Sequence, residues 1–321
     1  MQVGEYPGMK FLLALLLAVP AFAADSITTN SGVWTDANRS REIPYKSYAP
    51  ANPTGRCPVI IFSHGLGGSR DGYGYLGSFW ASNGYVTIHL QHHGSDDGVW
   101  RDTPQAERMK SMQESAMKLQ NAVDRPRDVS FAIDQLAKLD AEGPLHGHLD
   151  TNRIGVAGHS FGAYTTMAVA GQGVANRGGL FRDARVKAAI AMSTPTPRPT
   201  TDAAMRDVKI PMMHMTGTRD TSPIGQPQKP EDRRGPFDHI RGADQFLVTF
   251  AGGDHMVFSG TRWKGDGDPN DDRNHRLIQT GTLAFWDAYL RDDARAKKWL
   301  QDDGFAKELG DAAALEKKIA H

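Results

Sequence analysis

A serine in a glycine-flanked turn, Gly158-His159-Ser160-Phe161-Gly162, is the first group in the sequence with the chemistry of a nucleophile. It follows the short apolar run 154–157 and precedes an alanine-rich stretch, 163–170, that suits a helix. In such a turn between a strand and a helix the serine takes a strained backbone conformation, and small neighbours avoid a clash. The pattern therefore predicts that Ser160 is an activated nucleophile.

A serine nucleophile needs a base to take its proton, and the base needs a carboxylate that orients it. In chains with this turn the order is serine, acid, histidine. Asp220 lies in the loop after the apolar run 212–215, and His255 lies in a glycine-rich loop after the run 246–250. We predict Asp220 as the acid and His255 as the base. Asp254 is the alternative acid, but side chains of adjacent residues diverge.

The negative charge that develops on the substrate oxygen needs preorganised donors. We predict that the backbone N–H groups of Phe161 and Leu66 form this oxyanion hole, because Leu66 lies in the glycine-rich run 63–68 that ends an apolar strand. Polar groups in loops at strand ends often contact the substrate. The residues expected to do so are His64, Gly65, His159 and Ser193.

Short apolar runs recur along the chain and predict strands buried on both faces. They are residues 59–62, 85–88, 154–157, 186–191, 212–215 and 246–250. Helical segments fill most gaps, and the clearest is 128–139. The fold class is therefore α/β, with a mostly parallel central sheet and helices on both faces. The carboxyl ends of parallel strands share one edge, which would bring Ser160, Asp220 and His255 together.

The first 23 residues have the features of a secretory signal peptide. Met9 and Lys10 precede the apolar run 11–19, and Ala21-Phe22-Ala23 provides a small-residue cleavage site. We expect the true start at Met9 and a secreted or periplasmic protein; a buried N-terminal helix is the alternative. No later stretch is long and apolar enough for a membrane span.

Residues 24–321 contain no internal repeat and no linker, so we expect a single domain. The stretch 94–121 is longer than a plain connection. Met109, Met112, Ala116 and Leu119 would share one face if this stretch formed a helix. Both a cap over the site and an ordinary core-facing helix fit this pattern.

Composition limits the classes of partner. Lys plus Arg and Asp plus Glu number 37 each, so nothing indicates nucleic-acid binding or a polybasic membrane contact. The one cysteine, Cys57, excludes an internal disulfide. Oligomeric state is not indicated.

Two segments carry groups that could bind metal ions. One holds His89, His92 and His93, and the other is the acidic loop 266–272. The loop lacks the glycine and glutamate of a calcium loop at its sixth and twelfth positions. For both segments a polar or solvated loop is the favoured interpretation, and no metal or cofactor is expected.

Several motifs resemble those of the α/β-hydrolase superfamily. Within it the chain is similar to secreted bacterial esterases related to platelet-activating factor acetylhydrolases and predicted dienelactone hydrolases. The resemblance covers about residues 34–290 and rests on Trp34-Thr35-Asp36, Arg41-Glu42-Ile43-Pro44, Phe62-Ser63-His64-Gly65-Leu66-Gly67-Gly68, Asp124-Arg125-Pro126-Arg127-Asp128-Val129 and the serine turn.

This resemblance implies hydrolysis of a carboxylic ester through an acyl-enzyme and without cofactor. We expect a small or medium acyl ester, or a lipid-like ester, as the substrate. True dienelactone hydrolases use cysteine where this chain has Ser160, and the similar cutinases usually carry disulfides. The alternatives are a polyester or lipid-type esterase, a peptidase or amidase on the same fold, and a catalytically inactive binding protein.

Overall fold

The computed structural model of the protein describes residues 26–320 except 144, 175–176, 197–200, 223, 225–227 and 261–267. The predicted signal segment 1–23 lies outside these described residues, as do Asp266 and Gly267 of the acidic loop 266–272. Within the described residues, no helix is long and apolar enough to cross a membrane.

The strands of the described residues form one nine-stranded sheet. They are β1 (Ile27–Asp36), β2 (Arg41–Pro50), β3 (Cys57–Ser63), β4 (Val86–Leu90), β5 (Leu149–His159), β6 (Val186–Met192), β7 (Met212–Arg219), β8 (Gln245–Asp254) and β9 (Ala313–Lys318). The order across the sheet is β1-β2-β4-β3-β5-β6-β7-β8-β9. Strands β4, β3, β5, β6, β7 and β8 pair in parallel. The pairs β1–β2, β2–β4 and β8–β9 are antiparallel.

Helices connect and cover these strands. The α-helices of the described residues are α1 (Gly74–Ser82), α2 (Arg108–Ala116), α3 (Leu119–Ala141), α4 (Phe161–Ala170), α5 (Asp202–Met205), α6 (Gly235–His239), α7 (Asp271–Leu290), α8 (Ala294–Gln301) and α9 (Gly304–Leu309). Short 3-10 helices occupy Ala37–Arg39, Asp97–Val99, Pro230–Arg234 and His255–Phe258.

The central strands are buried on both faces, as continuous apolar runs require. All seven residues of β3 and all five of β4 are buried. One face of the sheet packs against α1 and α7, with Trp80 and Trp286 at the contact. The other face packs against α3 and α4, through residues such as Ile133 and Met167. The predicted α/β-hydrolase fold, with a mostly parallel sheet between helices, is confirmed.

The expectation of one apolar helix face across 94–121 is wrong. Helix α2 ends at Ala116, and Leu119 begins α3. Of the apolar residues on the expected face, Met112 is buried, whereas Met109 and Leu119 are exposed. A break at residues 117–118 turns the chain, so the side chains do not follow one helical repeat.

Candidate active site

Ser160 lies at the sharp turn between β5 and α4 with a backbone φ of +56°. Few residues with a side chain adopt this region, and a nucleophile held there is exposed at the top of the sheet. A Cβ on Gly158 would lie 2.3 Å from the Gly162 carbonyl oxygen, and a Cβ on Gly162 would lie 1.8 Å from the Ser63 carbonyl oxygen. Both glycines are therefore required, because the end of β3, the end of β5 and the first turn of α4 approach one another closely.

Ser160, His255 and Asp220 form a continuous chain of hydrogen bonds. The Ser160 hydroxyl oxygen lies 2.9 Å from His255 Nε2. His255 Nδ1 lies 2.8 Å from Asp220 Oδ1 and donates to it, because the carboxylate can only accept. The three residues follow β5, β8 and β7, whose carboxyl ends share one edge of the sheet.

The Asp220 carboxylate is fully buried and its oxygens are saturated with donors. Oδ1 accepts from His255 and lies 2.9 Å from Arg233 Nε. Oδ2 accepts from the hydroxyls of Ser193, at 2.6 Å, and Thr216, at 2.9 Å. Burial alone would raise the pKa of Asp220, but the His255 hydrogen bond, nearby positive charge and the Ser193 hydroxyl lower it to about 2. The carboxylate therefore stays ionised at neutral pH.

Asp254, the alternative acid, occupies a different position. Its Oδ1 accepts a hydrogen bond of 2.9 Å from the Met256 amide and caps the 3-10 helix that begins at His255. The imidazole of His255 instead bonds to Asp220. The geometry thus brings the side chain of Asp220, not that of its sequence neighbour Asp254, to the histidine.

The two predicted oxyanion donors are the amide of Phe161, which follows Ser160 in the chain, and the amide of Leu66, which follows Gly65. The Phe161 amide belongs to the first turn of α4, where N–H groups have no partner within the helix. In the described part of the chain, neither the Phe161 nor the Leu66 amide donates to an acceptor. By contrast, the Gly67 amide donates to the Ser95 carbonyl. Gly65 lies directly against the nucleophile, since a Cβ there would lie 3.4 Å from Ser160 Cβ.

Three of the residues predicted to contact the substrate form side-chain hydrogen bonds within the protein. His64 donates from Nδ1 to the Gly65 carbonyl and accepts at Nε2 from the His92 amide. His159 accepts at Nδ1 from the Tyr73 hydroxyl and donates from Nε2 to the His255 carbonyl. The Ser193 hydroxyl donates to Asp220, as described above.

Burial lowers the pKa of both His64 and His159 well below the ordinary imidazole range, so both rings are neutral. Their ring nitrogens, and the Ser193 hydroxyl, are occupied by these internal bonds. The three side chains fix neighbouring loops and the acid in place. The fourth predicted contact, Gly65, has no side chain to form such a bond, and it lies against Ser160.

Residues of the segment 94–116 pack against the loop 64–68, which carries the predicted oxyanion donor Leu66. Trp100 Nε1 donates a hydrogen bond of 2.7 Å to the Gly67 carbonyl. Gly67 has a φ of +72°, and a Cβ there would lie 3.0 Å from both Trp100 and Met112. This segment therefore limits how the loop can move.

Sequence reasoning missed Arg233, which is buried and contacts Asp220 and the Ser193 carbonyl. Nothing in the pattern around it, Glu231-Asp232-Arg233-Arg234, separates it from an exposed charged turn. It also missed Tyr73 and Arg125, whose partners lie far away in the sequence.

The three histidines considered as metal ligands point to different partners. His89 Nδ1 lies 3.1 Å from the Gly72 carbonyl oxygen, His92 bonds to Asp128 and Ser63, and His93 bonds to Asp96. Among the described residues no group of three or more His, Cys, Asp or Glu side chains could hold a metal ion.

The sheet order and the serine turn define a member of the α/β-hydrolase superfamily. The family described as platelet-activating factor acetylhydrolase, isoform II, matches residues 21–217, which include Ser160 and end before Asp220. The chain belongs to this family, and the resemblance seen in the sequence is confirmed.

Two relatives and one solved structure illustrate the similarity. Platelet-activating factor acetylhydrolase of Cavia porcellus is 28% identical over 153 residues, covering 40% of this chain and 35% of the relative. That of Canis lupus familiaris is 24% identical over 209 residues, covering 57% and 43%. The chain thus matches less than half the length of these relatives. A ferulic acid esterase from Streptomyces cinnamoneus is similar in fold, with a TM-score of 0.60, 20% identity, and coverage of 86% of this chain and 93% of that one.

Proposed function

We propose that the protein is a serine hydrolase that cleaves carboxylic esters through an acyl-enzyme intermediate. The hydrogen-bonded chain Ser160–His255–Asp220 at a strained glycine-flanked turn is the observation that carries this proposal. Membership of the acetylhydrolase family supports the choice of an ester as substrate.

In the first half of the reaction Ser160 Oγ attacks the ester carbonyl carbon while His255 Nε2 takes the hydroxyl proton. Asp220 holds the imidazole with Nδ1 protonated, which leaves Nε2 free to accept, and stabilises the imidazolium that forms. His255 then gives the proton to the leaving alcohol, the bond between carbonyl carbon and alcohol oxygen breaks, and the acyl group stays on Ser160.

The tetrahedral intermediate carries its negative charge on the former carbonyl oxygen. The amides of Phe161 and Leu66 donate to this oxygen in this proposal, because Phe161 follows Ser160, Leu66 follows Gly65, which lies against Ser160, and neither amide has a competing acceptor among the described residues. In the second half, His255 deprotonates a water that attacks the acyl carbon, and Ser160 leaves with the proton. No cofactor takes part in this cycle.

We propose a small or medium acyl group for the ester. The names of the similar proteins refer to an acetyl group and to ferulic acid, both within this range. We further propose that the protein is secreted or periplasmic, on the basis of the signal-like residues 9–23.

The proposal is tested with a fluorophosphonate probe and with two matched substrates, an acetyl aryl ester and the corresponding acetanilide. The probe should label the wild type at Ser160 and leave Ser160→Ala unlabelled, and the ester should be cleaved far faster than the amide. Absence of labelling in the folded wild type would indicate a binding protein. Comparable rates on ester and amide would indicate an amidase or peptidase.

A further inference from the structure

Arg125, on α3, is fully buried beneath the serine turn, and the described triad does not use it. Its guanidinium donates to the Thr165 hydroxyl at 3.0 Å, to the Ser95 hydroxyl at 2.9 Å and to the His64 carbonyl. The guanidinium also lies over the Phe161 ring, 4.5 Å from the ring centroid. One side chain thus contacts elements from three separate parts of the chain.

These contacts hold both segments that carry the oxyanion donors. The His64 carbonyl belongs to the loop that carries the Leu66 amide. The Thr165 hydroxyl accepts from Arg125 and donates to the Phe161 carbonyl at 3.0 Å, so it links Arg125 to the backbone of Phe161. The stacked ring is that of Phe161 itself. A shift of Arg125 would therefore change the distance between the two donors.

The positive charge of Arg125 has no direct counterion in the described residues. All its hydrogen-bond acceptors are uncharged hydroxyl or carbonyl oxygens. The buried carboxylate of Asp128, on the same helix, instead bonds to Arg39, Arg41 and His92. Burial lowers the pKa of Arg125 to about 9, although Asp128 opposes this effect, and the group remains charged at neutral pH.

Burying a charge without a bonded counterion costs free energy, and a purely structural role is served as well by apolar packing. The arrangement becomes favourable when negative charge develops nearby during a reaction. The oxyanion of the tetrahedral intermediate is such a charge.

Helix α3 is anchored to α4 at this point. Pro126 has no amide to donate to the Ala122 carbonyl, and the Tyr164 hydroxyl of α4 donates to that carbonyl at 3.2 Å instead. Because the bond lies one turn from Arg125, it fixes the distance between the arginine and the helix that begins after Ser160.

We propose that Arg125 is a positioning residue that sets the spacing of the Leu66 and Phe161 amides and adds a fixed positive charge behind the oxyanion hole. This inference rests on the proposed esterase function. It predicts that the residue acts on the transition state rather than on ground-state binding of the substrate.

The test compares Arg125→Met and Arg125→Lys with the control Arg291→Met. Arg291 is a suitable control because it also bridges elements, through Asp287, two carbonyls and the Tyr85 ring. It lies near the amino end of β4, at the opposite edge from the site. Each variant is measured for kcat, KM and melting temperature. Inhibition is measured with a trifluoromethyl ketone, which forms an oxyanion on Ser160, and with the matching methyl ketone.

Arg125→Met should lower kcat about 10²-fold and weaken the trifluoromethyl ketone in parallel, while KM and binding of the methyl ketone change by less than about threefold. Arg125→Lys keeps the positive charge but loses the planar guanidinium with its fixed donors. Its kcat should therefore lie between those of Arg125→Met and the wild type. Arg291→Met should lower the melting temperature and leave kcat unchanged.

Full kcat in Arg125→Met, a loss confined to KM, or an equal loss in Arg291→Met would overturn the inference. If Arg125→Met does not fold, Ser95→Ala and Thr165→Val each remove one of its bonds. For these two variants, a drop in kcat and in affinity for the trifluoromethyl ketone supports the inference, and unchanged values of both overturn it. An inactive wild type would contradict the proposed function. An active wild type whose Arg125 variants keep the wild-type kcat would contradict this inference alone.

Discussion

In the proposed mechanism, His255 activates the Ser160 hydroxyl, and hydrogen bonds within the protein fix the position of His255. His255 is held at Nδ1 by Asp220 and at its backbone carbonyl by His159. Asp220 in turn is held by Arg233 and two hydroxyls. The base is therefore oriented before substrate arrives, which is the condition for efficient proton transfer.

Replacing the acid distinguishes Asp220 from Asp254. Asp220→Asn should lower kcat on the order of 10⁴-fold, because an amide no longer fixes the tautomer of His255. Asp254→Asn should retain most activity, since an asparagine oxygen can still cap the Met256 amide. Steady-state kinetics on an acetyl aryl ester measure both. A larger loss in Asp254→Asn would transfer the role of acid to Asp254.

The order of serine, acid and histidine, together with the glycines around each, was enough to predict which side chains of the site meet. Arg233, Tyr73 and Arg125 could not be predicted in this way. Each acts through partners that the fold, not the local sequence, brings near: Tyr73 and His159 are 86 residues apart. The sequence also does not show the internal partners of His64, His159 and Ser193, whose predicted contact with the substrate stays a prediction.

The turn between β5 and α4 depends on how closely β3 approaches it. Gly162→Ala would place a methyl group on the Ser63 carbonyl oxygen, which is backbone and cannot rotate away. We expect this variant to lower the free energy of unfolding by about 2 kcal/mol or more, as overpacking does, and to lower esterase activity. Urea denaturation measures the stability.

Gly55→Ala is the matched control, because no atom lies within 4 Å of its added methyl group. Its stability should stay within about 0.5 kcal/mol of the wild type. Equal stability of the two variants would show that the tight packing around Gly162 is not required.

Strands such as β3 and β4 were predictable, because a strand that is buried on both faces appears in the sequence as a continuous apolar run. The outer strands β1 and β9 were not, since their exposed residues interrupt the pattern. The break between α2 and α3 was not predicted either, and beside it the Asn121 side chain donates to the Gly94 and Ser115 carbonyls. Trp100 and Met112 of this segment pack on Gly67 from a distance in sequence.

At the scale of the whole molecule we propose one further property, namely export. If residues 1–23 are a signal peptide, protein expressed in its native host should be recovered outside the cytoplasm with a mature N-terminus near Ala24. N-terminal sequencing of the purified protein measures this. A mature protein that retains residues 11–19 would contradict the expectation.

The fold brings Ser160, His255 and Asp220 together at one edge of the sheet, where they are the proposed nucleophile, base and acid. The most direct test of this account is the hydrolysis rate of a short-chain aryl ester for the wild type, Ser160→Ala, His255→Ala and the double variant, each with and without a strong chelator. Because Ser160 and His255 act as a unit, either single variant should lose about as much rate as the double variant, on the order of 10⁶-fold. The chelator should have no effect, since the activated serine supplies the nucleophile. Substantial activity in folded Ser160→Ala, or loss of wild-type activity with chelator, would contradict the account.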